Sequence, residues 1–291
     1  MSVDPILIDC HMPFNFTNML QNTEQIMSFD GFQVPGSVTV ETVTHIHHWS
    51  DTVFSLKVTR PQAFRFRSGE FIMLGLPGDN GRPLLRAYSM ASPAWDEEVE
   101  FYSIKVQDGP LTSKLQHIKE GDPILLGKKP TGTLVLDALK PGKRLYFFST
   151  GTGFAPFASL LREPETYEKF EEVVCTHTGR FNSDLLYSTS IFDMLKDDPL
   201  IGEMVDGRVR PYQTTTREDS PFMGRITHLI ENGKLFKDLG IEPLNPETDR
   251  VMICGSTAML NDTKAIVEER GFIEGSNAAP GDFVIEKAFV S

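Results

Sequence analysis

The sequence predicts two domains, an antiparallel β-barrel followed by an α/β domain built on a parallel sheet. Three observations carry this expectation. At 291 residues the chain is longer than a single hydrophobic core usually supports. Between about Ser37 and Val135 it runs in short segments of alternating hydrophobicity, punctuated by Gly and Pro. Beyond Pro141-Gly142, apolar runs alternate with helical stretches instead. The boundaries read as an N-terminal extension over 1–36, a barrel over 37–140 and an α/β domain over 141–291.

In the first half, strands are expected at Ser37–Thr44, Val53–Arg60, Glu70–Leu76, Glu98–Val106 and Pro123–Leu126, with one more carrying Arg86-Ala87-Tyr88-Ser89. Turn signals such as Pro77-Gly78-Asp79-Asn80-Gly81 and Gly121-Asp122-Pro123 separate them, and one helix is expected over Leu111–Lys119. Many short strands with a single helix describe a barrel, whose closure removes unpaired edges. In the second half, strands at Arg144–Phe148, Glu172–Thr176 and Val251–Cys254 alternate with helices near Ala155–Leu161, Asp184–Lys196, Ile226–Asn232 and Thr257–Arg270. That alternation specifies a parallel sheet of the nucleotide-binding kind.

Composition narrows the function classes. A net charge of −12 argues against general nucleic-acid binding, which needs a basic surface. The charge is uneven: residues 37–140 hold twelve Lys+Arg and twelve Asp+Glu, residues 141–291 sixteen and twenty-four. Nothing approaches eighteen consecutive apolar residues, so no membrane span is expected. The first basic side chain is Lys57, which argues against a targeting peptide, and the first thirty-six residues read as a poorly specified extension expected to be partly disordered. Cys10, Cys175 and Cys254 lack zinc or iron–sulfur spacing and suit a reduced, cytoplasmic protein, expected to be a monomer. His45, His47 and His48 lack a further carboxylate or Cys cue, so no metal site is expected.

Four segments carry chemistry. Arg86 and Tyr88 are two residues apart on a strand and share a face, an Arg for an anionic oxygen and a flat ring for stacking. Strict alternation turns Ser89 away from Tyr88, so a bend or a backbone contact is needed to bring both to one ligand. Gly109-Pro110-Leu111-Thr112-Ser113 opens a helix with hydroxyls and free amides, an anion site in form, although an ordinary capped helix is the plainer reading of that segment alone. Gly151-Thr152-Gly153-Phe154-Ala155-Pro156 follows a strand and opens a helix, with Pro156 where a full G-x-G-x-x-G has its third Gly. Cys254-Gly255-Ser256 also joins a strand to a helix, where an open α/β sheet faces its ligand.

Arg86-Ala87-Tyr88-Ser89, Ser103-Ile104-Lys105-Val106 and Gly109–Ser113, with the intervening Ala91-Ser92-Pro93-Ala94-Trp95-Asp96, resemble the bacterial ferredoxin/flavodoxin–NADP(+) reductases of the ferredoxin–NADP reductase superfamily. The likeness spans roughly residues 37–291. It implies an FAD-binding barrel and an NADP-binding α/β domain, with hydride exchanged between NADP(H) and flavin N5 and single electrons passed to ferredoxin or flavodoxin. FAD would then contact Arg86, Ala87, Tyr88, Ser89, Ser103, Ile104, Lys105, Gly109, Pro110, Leu111, Thr112 and Ser113. Tyr88 would stack on the isoalloxazine, Ser89 would lie near N5, and Arg86, Thr112 and Ser113 would meet the phosphates.

The same resemblance implies NADP contacts from Thr150, Gly151, Thr152, Gly153, Arg180, Thr216, Arg217, Arg225, Cys254 and Gly255. The arginines would read the 2′-phosphate, with Arg162 a further candidate. Thr227 stands where plant-type relatives have an adenine-stacking Tyr. Cys254 would sit beside the nicotinamide as a steric element, and Ala288 and Phe289 would cover the flavin face opposite Tyr88. The catalytic set implied is therefore Tyr88, Ser89, Cys254, Ala288 and Phe289. A protein carrier of acidic charge would need a basic patch, for which Lys57, Arg60, Arg65, Arg67, Arg82, Lys128 and Lys129 are available on the neutral half. The alternative is an NAD(P)H-dependent flavin or ferric reductase that uses small acceptors.

Overall fold

The computed structural model describes residues 29–286. Six antiparallel strands form the first sheet: β1 (Val38–His48), β2 (Val53–Thr59), β3 (Phe71–Pro77), β4 (Pro83–Ser89), β5 (Glu98–Ile104) and β6 (Pro123–Gly127), in the order β4-β3-β6-β1-β2-β5. A bridge between Met90 and Phe101 ties the first strand of that order to the last and curls the sheet into a barrel. Period-two alternation sends Phe54, Leu56 and Val58, Ile72 and Leu74, and Ile124 and Leu126 into one core. The helix expected over Leu111–Lys119 is shorter, α1 (Thr112–Leu115). Its continuation winds into tighter turns as His117 and Ile118 donate three residues back, with Leu111, Leu115 and Ile118 buried.

Five strands form the second sheet, all parallel: β7 (Arg144–Thr150), β8 (Glu172–Gly179), β9 (Val209–Thr215), β10 (Asp249–Cys254) and β11 (Phe283–Ile285). Their order is β11-β10-β7-β8-β9. The chain winds outward from β7 through β8 to β9, then returns to place β10 on the other side of β7. Strand order therefore reverses between β7 and β10, the point at which an open α/β sheet has its ligand crevice. The edge strands β9 and β11 escape sequence reading. β9 carries Arg210-Pro211 and a polar Gln213-Thr214-Thr215 end, and β11 is only three residues long.

Helices cover both faces. Leu145 and Phe147 of β7 pack with α2 (Ala155–Leu161) and α4 (Leu186–Asp197), whereas Tyr146 and Phe148 pack with α6 (Ile226–Glu231), α7 (Lys234–Leu239) and α8 (Thr257–Glu269). Two shorter helices, α3 (Pro164–Lys169) and α5 (Gly202–Val205), complete the first layer.

A buried polar network joins the two sheets. Arg162, just after α2, pairs with Glu100 of β5 at 2.9 Å, donates through Nε to the Ala158 carbonyl at 3.0 Å and also donates to the Ala91 carbonyl. Tyr187 of α4 donates to the other Glu100 oxygen at 3.0 Å, and its ring stacks on Tyr102 at 4.3 Å. Arg162 is thus not a phosphate ligand. Its guanidinium is buried and occupied, and although burial works against its charge, Glu100 holds its pKa above the ordinary value. Around this network Ser159 donates to the Ser92 carbonyl at 2.7 Å, Trp95 to the Arg162 carbonyl at 3.2 Å, and Ser68 to Glu163 at 2.7 Å.

Removing one member of a buried pair strands the other charge. Arg162→Met is therefore expected to lower the unfolding free energy by about 3–5 kcal/mol in urea titrations, and adding Glu100→Gln should recover part of that loss.

Candidate functional site

The site forms where the rim of the barrel meets the reversal point of the parallel sheet. At the end of β4 the chain changes partners: Met90 donates to the Glu70 carbonyl beside β3, and Ala91 to the Glu100 carbonyl on β5. Tyr88 and Ser89, still in register with Ile72 and Phe71 of β3, come just before this switch and are both buried. The Tyr88 phenol shares a 3.1 Å hydrogen bond with Ser103, and its ring meets Phe101 edge-on at 6.2 Å. Burial pushes the Tyr88 pKa up, opposed by the Ser103 bond and by the nearby positive charge of Arg86. Arg86 itself is exposed, and its guanidinium donates to the Leu85 carbonyl at 2.8 Å.

Ser89 is the telling residue. Its hydroxyl is buried yet has no hydrogen-bond partner, one of two such side-chain atoms among the described residues, the other being Thr44 in an irregular stretch of β1. Buried polar atoms are rarely left unpaired in native folds, so this one suits a bound polar group. The residues around it fit a flat, phosphate-bearing cofactor. Ser103 is buried beside Tyr88, Ile104 is exposed, and the Lys105 ammonium donates to the Ser50 carbonyl at 2.6 Å. The Gly109–Ser113 segment turns back on itself, with the Ser113 amide donating to the Gly109 carbonyl and the Thr112 hydroxyl to that of Val106.

Across the junction, β5 packs against a single 3₁₀ turn, Gly151–Phe154, that follows β7. The Thr150 hydroxyl accepts from the Ser256 amide at 2.9 Å, clasping the loop after β7 to the loop after β10. A Cβ on Gly153 would lie 2.4 Å from the Cys254 carbonyl oxygen, so only glycine permits this approach. Thr150, Gly151, Thr152, Gly153, Cys254 and Gly255 are thereby brought together. Cys254 is fully buried, and burial, with the Glu286 carboxylate adding to it, pushes its thiol far above the ordinary range. The group is neutral, in keeping with a steric role.

The arginines gather at the ends of β8 and β9. The Arg217 amide donates to the Arg180 carbonyl at 3.0 Å, and the Thr216 amide to that of Gly179 at 3.2 Å. The Gly224 amide donates to the Thr215 carbonyl at 2.9 Å, bringing Arg225 to the same end. All three guanidiniums are exposed, and among the described residues none is in an ion pair. The basic patch is smaller than the sequence suggests. Lys57 faces Glu98, Arg67 is held by Glu70, and Arg60 donates to the Phe64, Ala94 and Asp96 carbonyls. Arg65 donates to the Gln62 and Phe64 carbonyls at 2.8 and 2.9 Å, which leaves Arg82, Lys128 and Lys129.

Ser89 pairs in register with Phe71, which bridges to Thr131, and the Thr133 hydroxyl donates to the Ile285 carbonyl at 2.6 Å. The end of the described chain therefore reaches the rim that holds Ser89. Ala288 and Phe289 lie outside the described residues.

Sequence reading missed His177. It lies on β8 opposite Ser149, fully buried, with Nε2 2.9 Å from the Gly151 carbonyl and Nδ1 2.7 Å from the Ser188 hydroxyl. The histidines that draw attention in the sequence are elsewhere: His45 meets Glu120 at 3.1 Å, and His47 lies against Trp49. The available signal was a His inside the apolar strand that precedes Arg180. Burial pushes the His177 pKa down to about 4 from 6.5, with Gly151 and Asp184 opposing. Below pH 6.5 the unfolded chain takes up this proton before the fold does. The residue's contribution is thus whole above about pH 6.5 and is lost as pH falls to about 4. Urea unfolding at pH 7 and pH 4.5 should show about 2 kcal/mol more acid-induced loss in the wild type than in His177→Gln.

The comparisons with known proteins agree with this geometry. The family model described as an oxidoreductase NAD-binding domain matches residues 147–265. A flavodoxin/ferredoxin–NADP reductase of Rhodobacter capsulatus is 61% identical over 250 residues, covering 86% of this chain and 93% of its own. A ferredoxin–NADP reductase of Pseudomonas aeruginosa is 51% identical over 251 residues, 86% of this chain and 97% of its own. The solved structure of a ferredoxin NADP+ reductase from Neisseria gonorrhoeae with bound FAD and NADP superposes with a TM-score of 0.78 at 29% identity, covering 88% of this chain and all of that one. A barrel closed beside the reversal point of a parallel sheet, on a chain this similar over this length, leaves one assignment: the chain belongs to the ferredoxin/flavodoxin–NADP reductase family.

Proposed function

We propose that this chain passes electrons between NADP(H) and a ferredoxin or flavodoxin through FAD held at the barrel rim. The observation that carries the reading is the unpartnered, buried Ser89 hydroxyl beside Tyr88, on a rim that abuts the glycine turn of the parallel sheet. Bound FAD supplies the exchange between a two-electron nicotinamide and one-electron carriers, chemistry that no side chain offers.

The protein's part is placement. Tyr88, held by Ser103, offers a flat wall for the flavin ring, and Ser89 offers the polar contact at its reacting edge. Ala87, Ile104 and Lys105 flank that ring, while Arg86, Thr112, Ser113 and the Gly109-Pro110-Leu111 backbone face the phosphates. Thr150–Gly153 and Cys254-Gly255 shape the nicotinamide crevice, where the neutral Cys254 thiol fills space without taking a proton. Arg180, Thr216, Arg217 and Arg225 read the 2′-phosphate, a group NADH lacks. No acid–base residue is called for.

Arg82, Lys128 and Lys129 are the cations we assign to an acidic carrier, since their charged groups are not engaged as those of Arg60, Arg65 and Arg67 are. Among the described residues no helix is long and apolar enough to cross a membrane. We assign the enzyme to the cytoplasm as a monomer, in keeping with free, buried Cys175 and Cys254.

The purified protein should show flavin absorbance that bleaches on anaerobic addition of NADPH and far more slowly with NADH; no bleaching with either sinks the reading. Arg217→Ala with Arg225→Ala should lower kcat/KM for NADPH about a hundredfold while leaving NADH nearly unchanged, because each lost guanidinium forfeits a charged hydrogen bond. Rising salt should slow reduction of the carrier protein, with ferricyanide reduction spared.

A further inference from the structure

His177 is fully buried, and both of its ring nitrogens face protein groups. Its geometry is specific. A carbonyl can only accept, so the bond to Gly151 assigns the proton to Nε2 and makes Nδ1 an acceptor, which shares the Ser188 hydroxyl, at 2.7 Å, with the Leu185 carbonyl 2.9 Å away. Gln213 of β9 in turn donates through Nε2 to the Ser188 oxygen at 2.7 Å. The ring lies flat on Phe154, with centroids 4.9 Å apart. Side chains from β8, α4 and β9 are thus lined up to aim one N–H at one carbonyl.

Gly151 is exposed at φ +53°, a conformation that favours glycine, and it opens the 3₁₀ turn Gly151–Phe154, so its carbonyl is oriented both by the hydrogen bonding of that turn and by His177. In a trans peptide the carbonyl of Gly151 and the amide of Thr152 point in opposite directions. Fixing the carbonyl inward on His177 therefore fixes the Thr152 amide outward. A buried imidazole costs more than a phenyl ring of similar size unless both nitrogens are paired, and here both are.

We propose that His177 is a positioning residue for NADP(H): it sets the Gly151 peptide so that the turn presents its amides to the pyrophosphate–nicotinamide portion of the dinucleotide. This rests on the assignment of Gly151–Gly153 to NADP(H). The adenosine 2′-phosphate end, read by Arg217 and Arg225, lies outside its influence.

The test compares NADP+ with 2′,5′-ADP, which carries the 2′-phosphate but no nicotinamide, by equilibrium titration of the flavin-loaded protein. His177→Phe keeps the stacking on Phe154 and removes the N–H. It should weaken NADP+ binding about tenfold, the effect of one lost buried hydrogen bond, and leave 2′,5′-ADP within about twofold. His177→Gln places a side-chain N–H at the same reach and should restore NADP+ binding. Equal weakening of both ligands, no weakening in His177→Phe, or failure of the Gln rescue would overturn the proposal. Wild-type protein that binds neither ligand would instead refute the NADP(H) reading itself. A second measurement needs no variant: in protein labelled with ¹⁵N-histidine, the His177 Nε2–H signal should be protected from exchange and should shift on adding NADP+ but not 2′,5′-ADP. An unmoved signal would refute the role.

Discussion

The arrangement depends on one buried ion pair, Glu100 with Arg162, where the barrel and the parallel sheet meet. Charges taken out of water are costly, and such a pair holds only when its remaining donors and acceptors are also satisfied. Here they are. Arg162 reaches the Ala91 and Ala158 carbonyls as well as Glu100, and Glu100 accepts from Tyr187. The pair thereby tells α2, α4 and β5 where to lie, with a directionality that apolar packing lacks. Ser159, Trp95 and Ser68 add hydrogen bonds along the same seam.

Along that seam β5, which neighbours the end of β4, packs against the turn after β7. On the barrel side, Tyr88 and Ser89 are both buried at the end of β4, just before the chain changes partner at Met90 and Ala91. On the sheet side, the bond from Ser256 to Thr150 and the contact of Gly153 on Cys254 draw two loops into one wall. The reversal of strand order opens the crevice, and the seam aligns it with the barrel rim. The functional surface is therefore made of backbone direction and a few fixed side chains, which suits chemistry that a cofactor performs.

Much of this was legible in the residues. The shift from alternating segments to strand–helix alternation matches the change from antiparallel to parallel sheet, and α2 spans the expected residues. Gly153 and Cys254-Gly255 stand out in the sequence as glycine-bearing strand–helix junctions, and the structure brings the two loops into close backbone contact. Arg162 misled because an arginine in sequence carries no sign of its surroundings; only Glu100, sixty-two positions away, shows that it is structural. β9 was overlooked because an edge position tolerates Pro and polar residues, which weakens the periodic signal, and β11 because three residues are too few to show a period.

The order of strands and helices, the glycine turns and the arginine-bearing loops follow from periodicity and local backbone chemistry, which operate over a few residues and so can be read along the chain. Pairings between distant residues cannot be read that way. The tertiary structure alone decided that Ser89 is buried without a partner, that Arg162 belongs to Glu100, and that His177 holds the Gly151 carbonyl. Each depends on groups brought together across dozens of residues, and burial, which sets the energetic weight of a polar atom, exists only once the chain has folded.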